Sequence, residues 1–246
     1  MGKKFKKKVN MNINENGYSV IKNVLTTSEI ENFRVSLDNY FDTKKSLYVD
    51  NNSQGSKILP GWSGITPELS QLNFLHTDER ITSIISDVFQ KRDFRFLGHS
   101  DLHQNKVSPW HRDIVDMKRG GCDLNIWTKE CFIIKVCFLL QDHIDNDSGL
   151  WFRPKTHKEE GSKTEAIHAY TKAVDMIVFD QRIWHKGQDT KPKYRAKYNQ
   201  NRYLITFGYG LNNNPYSDFH EKGANTRQKR QRAVSYTHLR AHETIN

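Results

Sequence analysis

The chain has 246 residues, a formal net charge of +10 and 36% hydrophobic residues, including thirteen Phe, ten Tyr and five Trp. This apolar content is enough to build a sizeable core and excludes wholesale disorder. No run of about 18 apolar residues occurs, so the sequence predicts no membrane span. The basic start, MGKKFKKKVN, is not followed by an apolar segment, which excludes a secretory signal.

The three cysteines, Cys122, Cys131 and Cys137, are odd in number and form no C-x-x-C pair. This pattern fits a reducing compartment better than a disulfide framework, so we expect a cytoplasmic location. Apolar neighbours favour packing over metal binding for Cys131 and Cys137.

Much of the positive charge lies near the two ends, in GKKFKKK and in RQKRQR at 227–232. Blocks of like charge usually form solvated tails. We therefore predict a basic N-terminal tail at 1–9, a single domain at 10–220, and a basic, disordered tail at 221–246.

The last residues carry no hydrophobic period, and VSYTHLRAHET resembles the translated adapter sequence that contaminates some metagenomic assemblies. Residues 233–246 are therefore left out of the fold prediction, as a cloning scar would be. His238 and His242 are not candidate metal ligands on this interpretation, despite their i, i+4 spacing.

The front of the chain predicts one strand and two helices. GYSVIKNVL alternates as a strand does, and Ser28 with Glu31 fits a helix capping box. Apolar residues then recur at helical spacing in two segments. They are Ile30, Phe33, Leu37 and Tyr40 or Phe41 in the first helix, and Ile81, Ile84, Ile85 and Val88 in the second.

From about residue 94 the chain consists of short β-rich segments separated by polar turns, a pattern typical of a sandwich or barrel. We predict a mainly β domain with flanking α-helices. The segments are FRFLGHSDLH, CFIIKVCFLLQD, AIHAY, DMIVFD and RYLITFGYG.

A candidate metal site begins in the stretch VSPWHRDIVD, which holds His111 and Asp113. In an extended segment, residues two apart point to the same side. A third ligand, His185, follows the buried-looking strand MIVF in DMIVFDQRIWHKGQDT. Two histidines and one carboxylate on one face leave half of an octahedral ion open, which suits non-haem Fe(II) that must also bind substrate and dioxygen.

Five segments between residues 17 and 210 follow one another in the order GYSVIKNVLTTSEIENFR, PWHRD, FLLQDHIDNDSGLWFRPKTHK, DMIVFDQRIWHKGQ and NRYLITFGYG. This order is the one found in the phytanoyl-CoA dioxygenase (PhyH) family of Fe(II)/2-oxoglutarate-dependent oxygenases, and the chain resembles that family. The match includes an opening strand and helix, an iron motif, an acidic turn that leads to Gly149, Pro154 and His157, a strand before the distal histidine, and a closing strand with an arginine.

The resemblance implies a double-stranded β-helix, the jelly-roll core also found in cupins. It implies Fe(II) bound by His111, Asp113 and His185, and 2-oxoglutarate bound through its far carboxylate by Arg202, since arginine grips a carboxylate with two hydrogen bonds. Arg195 is the rival arginine. Lys135 is either a second contact to the cosubstrate or an outward-facing residue with a snorkelled side chain.

The implied reaction consumes 2-oxoglutarate and dioxygen, releases succinate and CO2, and hydroxylates a small organic molecule. Related iron halogenases replace the carboxylate ligand with a small residue, so the presence of Asp113 favours hydroxylation. Two departures from the family pattern stand out. PKTH replaces the commoner Pro-Gly-Ser-His, and TKPKYRAKYNQ lengthens the gap between His185 and Arg202.

For other side chains near the motifs, the sequence predicts only their position relative to the iron. Arg112 is expected to point away from the iron, because it alternates with the two ligands along the strand. Trp110 and Trp184 are expected to pack beside the site. His103 is a candidate for lining the pocket, whereas His157 is expected to stay away from the iron.

Three alternatives remain open from sequence: a cupin-like metalloenzyme that does not use 2-oxoglutarate, a basic nucleic-acid-binding protein, and a family member without activity. The dispersed aromatic residues disfavour nucleic-acid binding, because they indicate no stacking platform. The sequence leaves open the identity of the small-molecule substrate, the choice between hydroxylation, desaturation and epimerisation, and the oligomeric state.

Overall fold

The computed structural model describes residues 13–43, 49–50, 56–63, 69–144, 149–187 and 201–243, with side chains as far as residue 233 and none for 49–50. The strands are β1 (Tyr18–Ile21), β2 (Val49–Asp50), β3 (Lys57–Pro60), β4 (Phe94–Gln104), β5 (Ile133–Leu139), β6 (Leu150–Arg153), β7 (Ile167–Ala169), β8 (Met176–Asp180), β9 (Trp184–Lys186) and β10 (Tyr203–Leu211). The helices are α1 (Ile13–Asn16), α2 (Thr27–Thr43), α3 (Ser70–Asn73), α4 (Glu79–Val88), α5 (Val115–Arg119) and α6 (Pro215–Glu243), with a 3-10 helix at Leu75–Thr77.

The strands form two antiparallel sheets, a large one of seven strands and a small one of three. The large sheet has the order β1-β8-β5-β10-β4-β3-β2, and the small sheet has the order β7-β6-β9. An apolar cluster with members from both sheets fills the space between them. The jelly-roll core expected from the sequence is therefore confirmed.

The period-two alternation of β5 explains how one strand serves both the core and the site. Ile134, Val136 and Phe138 pack into the larger apolar cluster, which also holds the buried faces of α2 and α4. Cys137, on the opposite face, packs into the cluster between the sheets, and Lys135 points to that same side. Every second residue of the strand is therefore available to line an interior site.

The two long N-terminal helices lie where the sequence predicted them, and their apolar faces are buried as expected. The predicted capping box was wrong by two residues. Thr26 and Glu29 form it instead, with the Thr26 Oγ1 accepting from the Glu29 N–H and Glu29 Oε2 accepting from the Thr26 N–H. The reason is that α2 begins at Thr27, so Thr26 occupies the N-cap position.

The prediction of a disordered tail from residue 221 was wrong for residues 221–233, which belong to α6 and pack on the domain. Arg227 donates to the buried carboxylates of Asp101 and Asp116, and the Gln228 amide donates to the Ser100 carbonyl. Part of the basic run is thus used to neutralise buried acids. The N-terminal tail at 1–9 and the side chains of 234–246, including His238 and His242, lie outside the described residues.

Helices α5 and α6 cross backbone to backbone at two glycines. A Cβ on Gly223 would lie 1.7 Å from the Asp116 carbonyl oxygen, and a Cβ on Gly120 would lie 1.9 Å from the Phe219 carbonyl oxygen. Only glycine allows this approach at either position. None of the helices in the described segments is both long and apolar enough to cross a membrane.

We predict that Gly223→Ala destabilises the protein by about 1–3 kcal/mol, the usual cost of overpacking. The sign of the change in the free energy of unfolding distinguishes a packed helix from an exposed one, because Gly→Ala in an exposed helix would be stabilising by about 1 kcal/mol. Urea unfolding measures the difference, with Gly161→Ala as the control, since a Cβ there meets nothing within 4 Å. A Gly223→Ala protein as stable as the wild type would show that α6 does not pack on α5.

Candidate active site

The backbone brings the two candidate histidine ligands side by side although they are far apart in sequence. The His111 N–H donates to the His185 carbonyl at 2.9 Å, and the His185 N–H donates to the His111 carbonyl at 3.0 Å. The Asp113 N–H donates to the carbonyl of Gln181, in the turn before β9. These bonds fix the HRD segment against the strand that carries the distal histidine.

The three side chains converge on one point. His111 Nε2 lies 3.5 Å from Asp113 Oδ1, and His185 Nε2 lies 3.5 Å from Asp113 Oδ2. One potential ligand atom from each residue lies within 4.8 Å of the other two. The structure therefore juxtaposes the three residues that the sequence singled out.

The hydrogen bonds of both imidazoles involve Nδ1 and leave Nε2 available to a metal. His111 Nδ1 lies 2.7 Å from the Pro109 carbonyl oxygen, and His185 Nδ1 lies 3.1 Å from the Ile183 carbonyl oxygen. A carbonyl only accepts, so the proton belongs on Nδ1 in each ring. Nε2 then presents its lone pair toward Asp113, as in metal-binding histidines whose second nitrogen is held by an outer partner.

The electrostatics also suit metal binding. Burial lowers the pKa of His185 to about 3, which keeps this imidazole neutral at physiological pH. Burial alone would raise the pKa of Asp113, but the Lys135 ammonium beside it holds that pKa well below the usual value. A neutral imidazole and an ionised carboxylate are the forms that ligate metals. The donor set therefore fits a divalent ion such as Fe(II).

Access to the site is from the His111 side. The His111 side chain is 34% exposed, whereas that of His185 is 5% exposed. Phe152, opposite His185 in the β6–β9 pair, and Phe179 pack against the buried ring of His185. The site thus has one apolar wall and one open side.

Lys135 points inward, so the account of it as an outward-facing, snorkelled residue is wrong. Its side chain is 12% exposed, and its Nζ donates to Asp113 Oδ2 at 2.6 Å. The physical reason is the pleat of β5, which turns Lys135 to the same side as Cys137, into the space between the sheets. A contact between Lys135 and 2-oxoglutarate stays a prediction.

Arg202 is buried and lies just before β10, on the pleat shared with Leu204 and Thr206. Leu204 and Thr206 line a small cavity with the three candidate ligands, and Arg202 lines a second one. The two cavities have Lys106, Ser108, Leu150 and Leu204 in common, so they are neighbours. Arg195, the rival arginine, lies outside the described residues.

The set of site residues predicted from the sequence does not contain Lys106 and Ser108. Both line the triad cavity and the Arg202 cavity. His103 also lines the triad cavity, and its Nε2 lies 3.5 Å from Lys106 Nζ. His157 instead contacts the Asn14 carbonyl, away from the triad. The signal available in the sequence was the position of Lys106 and Ser108 directly before the HRD motif.

A second buried cluster, formed by His99, Asp116 and His220, has the spacing of a metal site but already contains a cation. The Arg227 guanidinium donates to Asp116, and also to Asp101, which is hydrogen-bonded to His99. The negative charge that would attract a metal is therefore balanced within the protein. We interpret this cluster as a network of hydrogen bonds and ion pairs that attaches α6 to the sheet.

A larger cleft of about 620 Å3 is lined by residues that include Trp127, Lys158 and Arg182, but by none of the three candidate ligands. Arg182 is tied there to Asp180 and to the carbonyls of Ile126 and Thr128. The chemistry of the triad therefore belongs to the smaller interior cavities, and cavity size alone does not locate the site.

We predict that acid destabilises the protein partly through His220. Burial of this imidazole holds its pKa well below the ordinary value of about 6.5. As the pH falls below about 6.5, the unfolded chain takes up a proton at this position and the folded chain does not. Stability is therefore lost as the pH falls, by up to about 1.4 kcal/mol per pH unit for one such histidine.

The measurement is the free energy of unfolding from pH 7.5 to pH 5 in the presence of a chelator. His220→Gln should lose less stability over this range than the wild type, because the glutamine cannot titrate. Parallel curves for the two proteins would contradict a buried, neutral His220.

The jelly roll and its cluster of two histidines and one carboxylate place the chain in the class of non-haem metal oxygenases. The family model for phytanoyl-CoA dioxygenase (PhyH) matches residues 13–195. The chain therefore belongs to the phytanoyl-CoA dioxygenase family of Fe(II)/2-oxoglutarate-dependent oxygenases. The match ends before Arg202.

Three solved structures illustrate the shared fold. The non-haem α-ketoglutarate-dependent epimerase SnoN from nogalamycin biosynthesis is 12% identical, with a TM-score of 0.64 over 81% of this chain and 80% of that chain. HygX from Streptomyces hygroscopicus, solved with nickel, 2-oxoglutarate and hygromycin B, is 18% identical, with a TM-score of 0.60 over 82% and 85%. The carbocyclase SnoK from nogalamycin biosynthesis is 15% identical, with a TM-score of 0.62 over 84% and 84%. No curated protein sequence matches the chain.

Proposed function

We propose that the protein is an Fe(II)/2-oxoglutarate-dependent dioxygenase that hydroxylates a small organic molecule. The observation that carries the proposal is the convergence of His111, Asp113 and His185, with both histidine Nε2 atoms directed at the carboxylate. Support for 2-oxoglutarate comes from the family and from the adjoining cavity that Arg202 lines.

Each residue has a distinct role in this proposal. His111, Asp113 and His185 hold Fe(II), which together with 2-oxoglutarate and dioxygen supplies the oxidising chemistry, with succinate and CO2 as by-products. The carbonyls of Pro109 and Ile183 keep the two imidazoles in the ligating tautomer. Lys135 orients Asp113 through its charge-assisted hydrogen bond.

Arg202 is proposed to bind the far carboxylate of 2-oxoglutarate. Its burial suits this role, because a guanidinium removed from water binds a carboxylate more strongly than an exposed one. Ser108 and Lys106, which line both cavities, are proposed to contact the cosubstrate between Arg202 and the iron. Arg202 lines one of the two neighbouring cavities and the triad lines the other, which supports a cosubstrate that contacts both.

The reaction outcome is the finer part of the proposal. An epimerase and a carbocyclase share the fold, so the fold permits outcomes other than hydroxylation. The carboxylate of Asp113 argues against halogenation, since it occupies the position that halogenases leave open for halide. A small molecule is the proposed substrate class, and the cytoplasmic location expected from the cysteines stays a prediction.

The first test is anaerobic binding of Fe(II) and 2-oxoglutarate, followed by optical spectroscopy. The wild type should show a metal-to-ligand charge-transfer band, because a 2-oxo acid chelated to Fe(II) absorbs visible light. His111→Ala should lose the band and retain the fold, since this residue is partly exposed. A folded wild type without the band would overturn the proposal.

Arg202→Ala separates the cosubstrate role from the metal role. We expect this variant to bind Fe(II) as the wild type does, but to require at least roughly tenfold more 2-oxoglutarate for the band, equivalent to about 1.4 kcal/mol. Arg195→Ala is the matched control and should change little. If Arg195→Ala, and not Arg202→Ala, raises the required concentration of 2-oxoglutarate, the carboxylate contact belongs to Arg195. If neither substitution changes that concentration, a metalloenzyme that does not use 2-oxoglutarate is favoured.

A substrate panel under 18O2 tests the reaction type. Hydroxylation predicts one labelled oxygen atom in the product and one in succinate for each turnover. Succinate formed with an unlabelled product of equal mass would indicate epimerisation, and an unlabelled product lighter by two hydrogens would indicate ring closure or desaturation. The stoichiometry of succinate to product confirms that the two are coupled.

A further inference from the structure

The outer face of the small sheet carries indoles and cations opposite one another, directly behind the triad. In the β6–β9 pair, Trp151 lies opposite Lys186, and Arg153 lies opposite Trp184. His185 faces inward between the two β9 residues. The pleat of β9 therefore presents a candidate metal ligand on one face and its two neighbours on the other.

Trp110, which precedes His111, belongs to the same arrangement. The Arg153 guanidinium lies 4.8 Å from the centre of the Trp110 ring, and Lys186 Nζ lies 5.7 Å from it. Lys186 Nζ also lies 5.4 Å from the Trp151 ring. Cations and indoles therefore connect the residue before His111 to β6 and β9 of the small sheet.

Arg112 makes the most extensive contacts of this kind. Its guanidinium lies 4.7 Å from the Trp127 ring and 4.8 Å from the Trp184 ring. Its Nη2 donates to the carbonyl of Thr156 at 3.1 Å and to that of Glu160 at 3.2 Å. One side chain thus connects the segment between two candidate ligands, the neighbour of the third, and the turn at 156–160.

We propose that Arg112 is a positioning residue that holds the two ligand-bearing segments at the separation required for metal binding. The inference rests on the proposed metal role of the triad. Arg112 lies between His111 and Asp113, and its stacking partner Trp184 precedes His185. The guanidinium therefore connects the segment that carries His111 and Asp113 to the strand that carries His185.

The chemistry of arginine explains why this residue type is required. A guanidinium is planar and stacks on an indole with each face, while its edge carries donors for carbonyls. Lysine keeps the charge but is a point donor on a flexible stem. Arg112→Lys therefore removes the stacking on the two indoles and the hydrogen bonds of the guanidinium to the carbonyls, but keeps the positive charge.

The test is titration with Co(II), an optically active substitute for Fe(II), in wild type, Arg112→Lys and Arg92→Lys. Arg92 is the matched control, because its guanidinium lies 5.9 Å from the Phe132 ring and donates to the Phe89 carbonyl, without touching the triad. We expect Arg112→Lys to weaken Co(II) binding roughly 10- to 100-fold, as the loss of outer contacts does at other metal sites. Arg92→Lys should bind as the wild type does.

Trp127→Leu is the second variant, since it removes one stacking partner and leaves the carbonyl contacts of Arg112 intact. An intermediate loss of Co(II) affinity is expected for it, with the thermal midpoint of the metal-free protein measured alongside. Folded Arg112→Lys and Trp127→Leu proteins that both bind Co(II) within twofold of the wild type would overturn the inference.

The controls also separate this inference from the proposed function. If the wild type itself does not bind Co(II), the metal role of the triad fails. If the wild type binds and both variants bind equally well, only the positioning role of Arg112 fails. A loss in Arg92→Lys equal to that in Arg112→Lys would show a general stability effect and overturn the positioning role as well.

Discussion

The two hydrogen bonds between the backbones of His111 and His185 are the constraint on which the site depends. They place an irregular segment alongside the distal strand, so that residues more than seventy positions apart become neighbours. The inward side chains of both segments then meet at Asp113, and the outward ones meet in the stacks around Arg112. The candidate ligands lie on one face of this short antiparallel contact, and the residues that support them lie on the other.

The sequence predicted the elements that carry a strong local pattern. The strand periodicity around Lys135 and the His-x-Asp spacing at His111 are local properties, and the resemblance of ordered segments supplied the distal partner, His185. What the local pattern could not fix was whether the face of β5 that carries Lys135 is covered, because that depends on the small sheet, which packs on this face from distant parts of the chain. The same applies to Arg112, whose stacking partners come from distant segments.

The largest error, at residues 221–233, has a physical explanation. A basic run reads as a solvated tail because exposed charges have no cost. Arg227 is instead paired with Asp101 and Asp116, two buried acids whose own segments give no hint of a distant cation. Buried charges require partners, but a single sequence does not say which partner is used.

The charges around the triad suggest that metal and cosubstrate support each other's binding. Lys135 Nζ is ion-paired with the buried Asp113 carboxylate. A divalent ion between Asp113 and the histidines would stand close to the Lys135 ammonium, and like charges in a buried site repel strongly. On the proposed function, a dianion such as 2-oxoglutarate would offset that repulsion. By reciprocity, a ligand that favours the metal-bound form is itself bound more tightly when the metal is present. On this argument the Lys135 ammonium, which is ion-paired with Asp113, makes the binding of a divalent cation at the triad depend on an anionic cosubstrate.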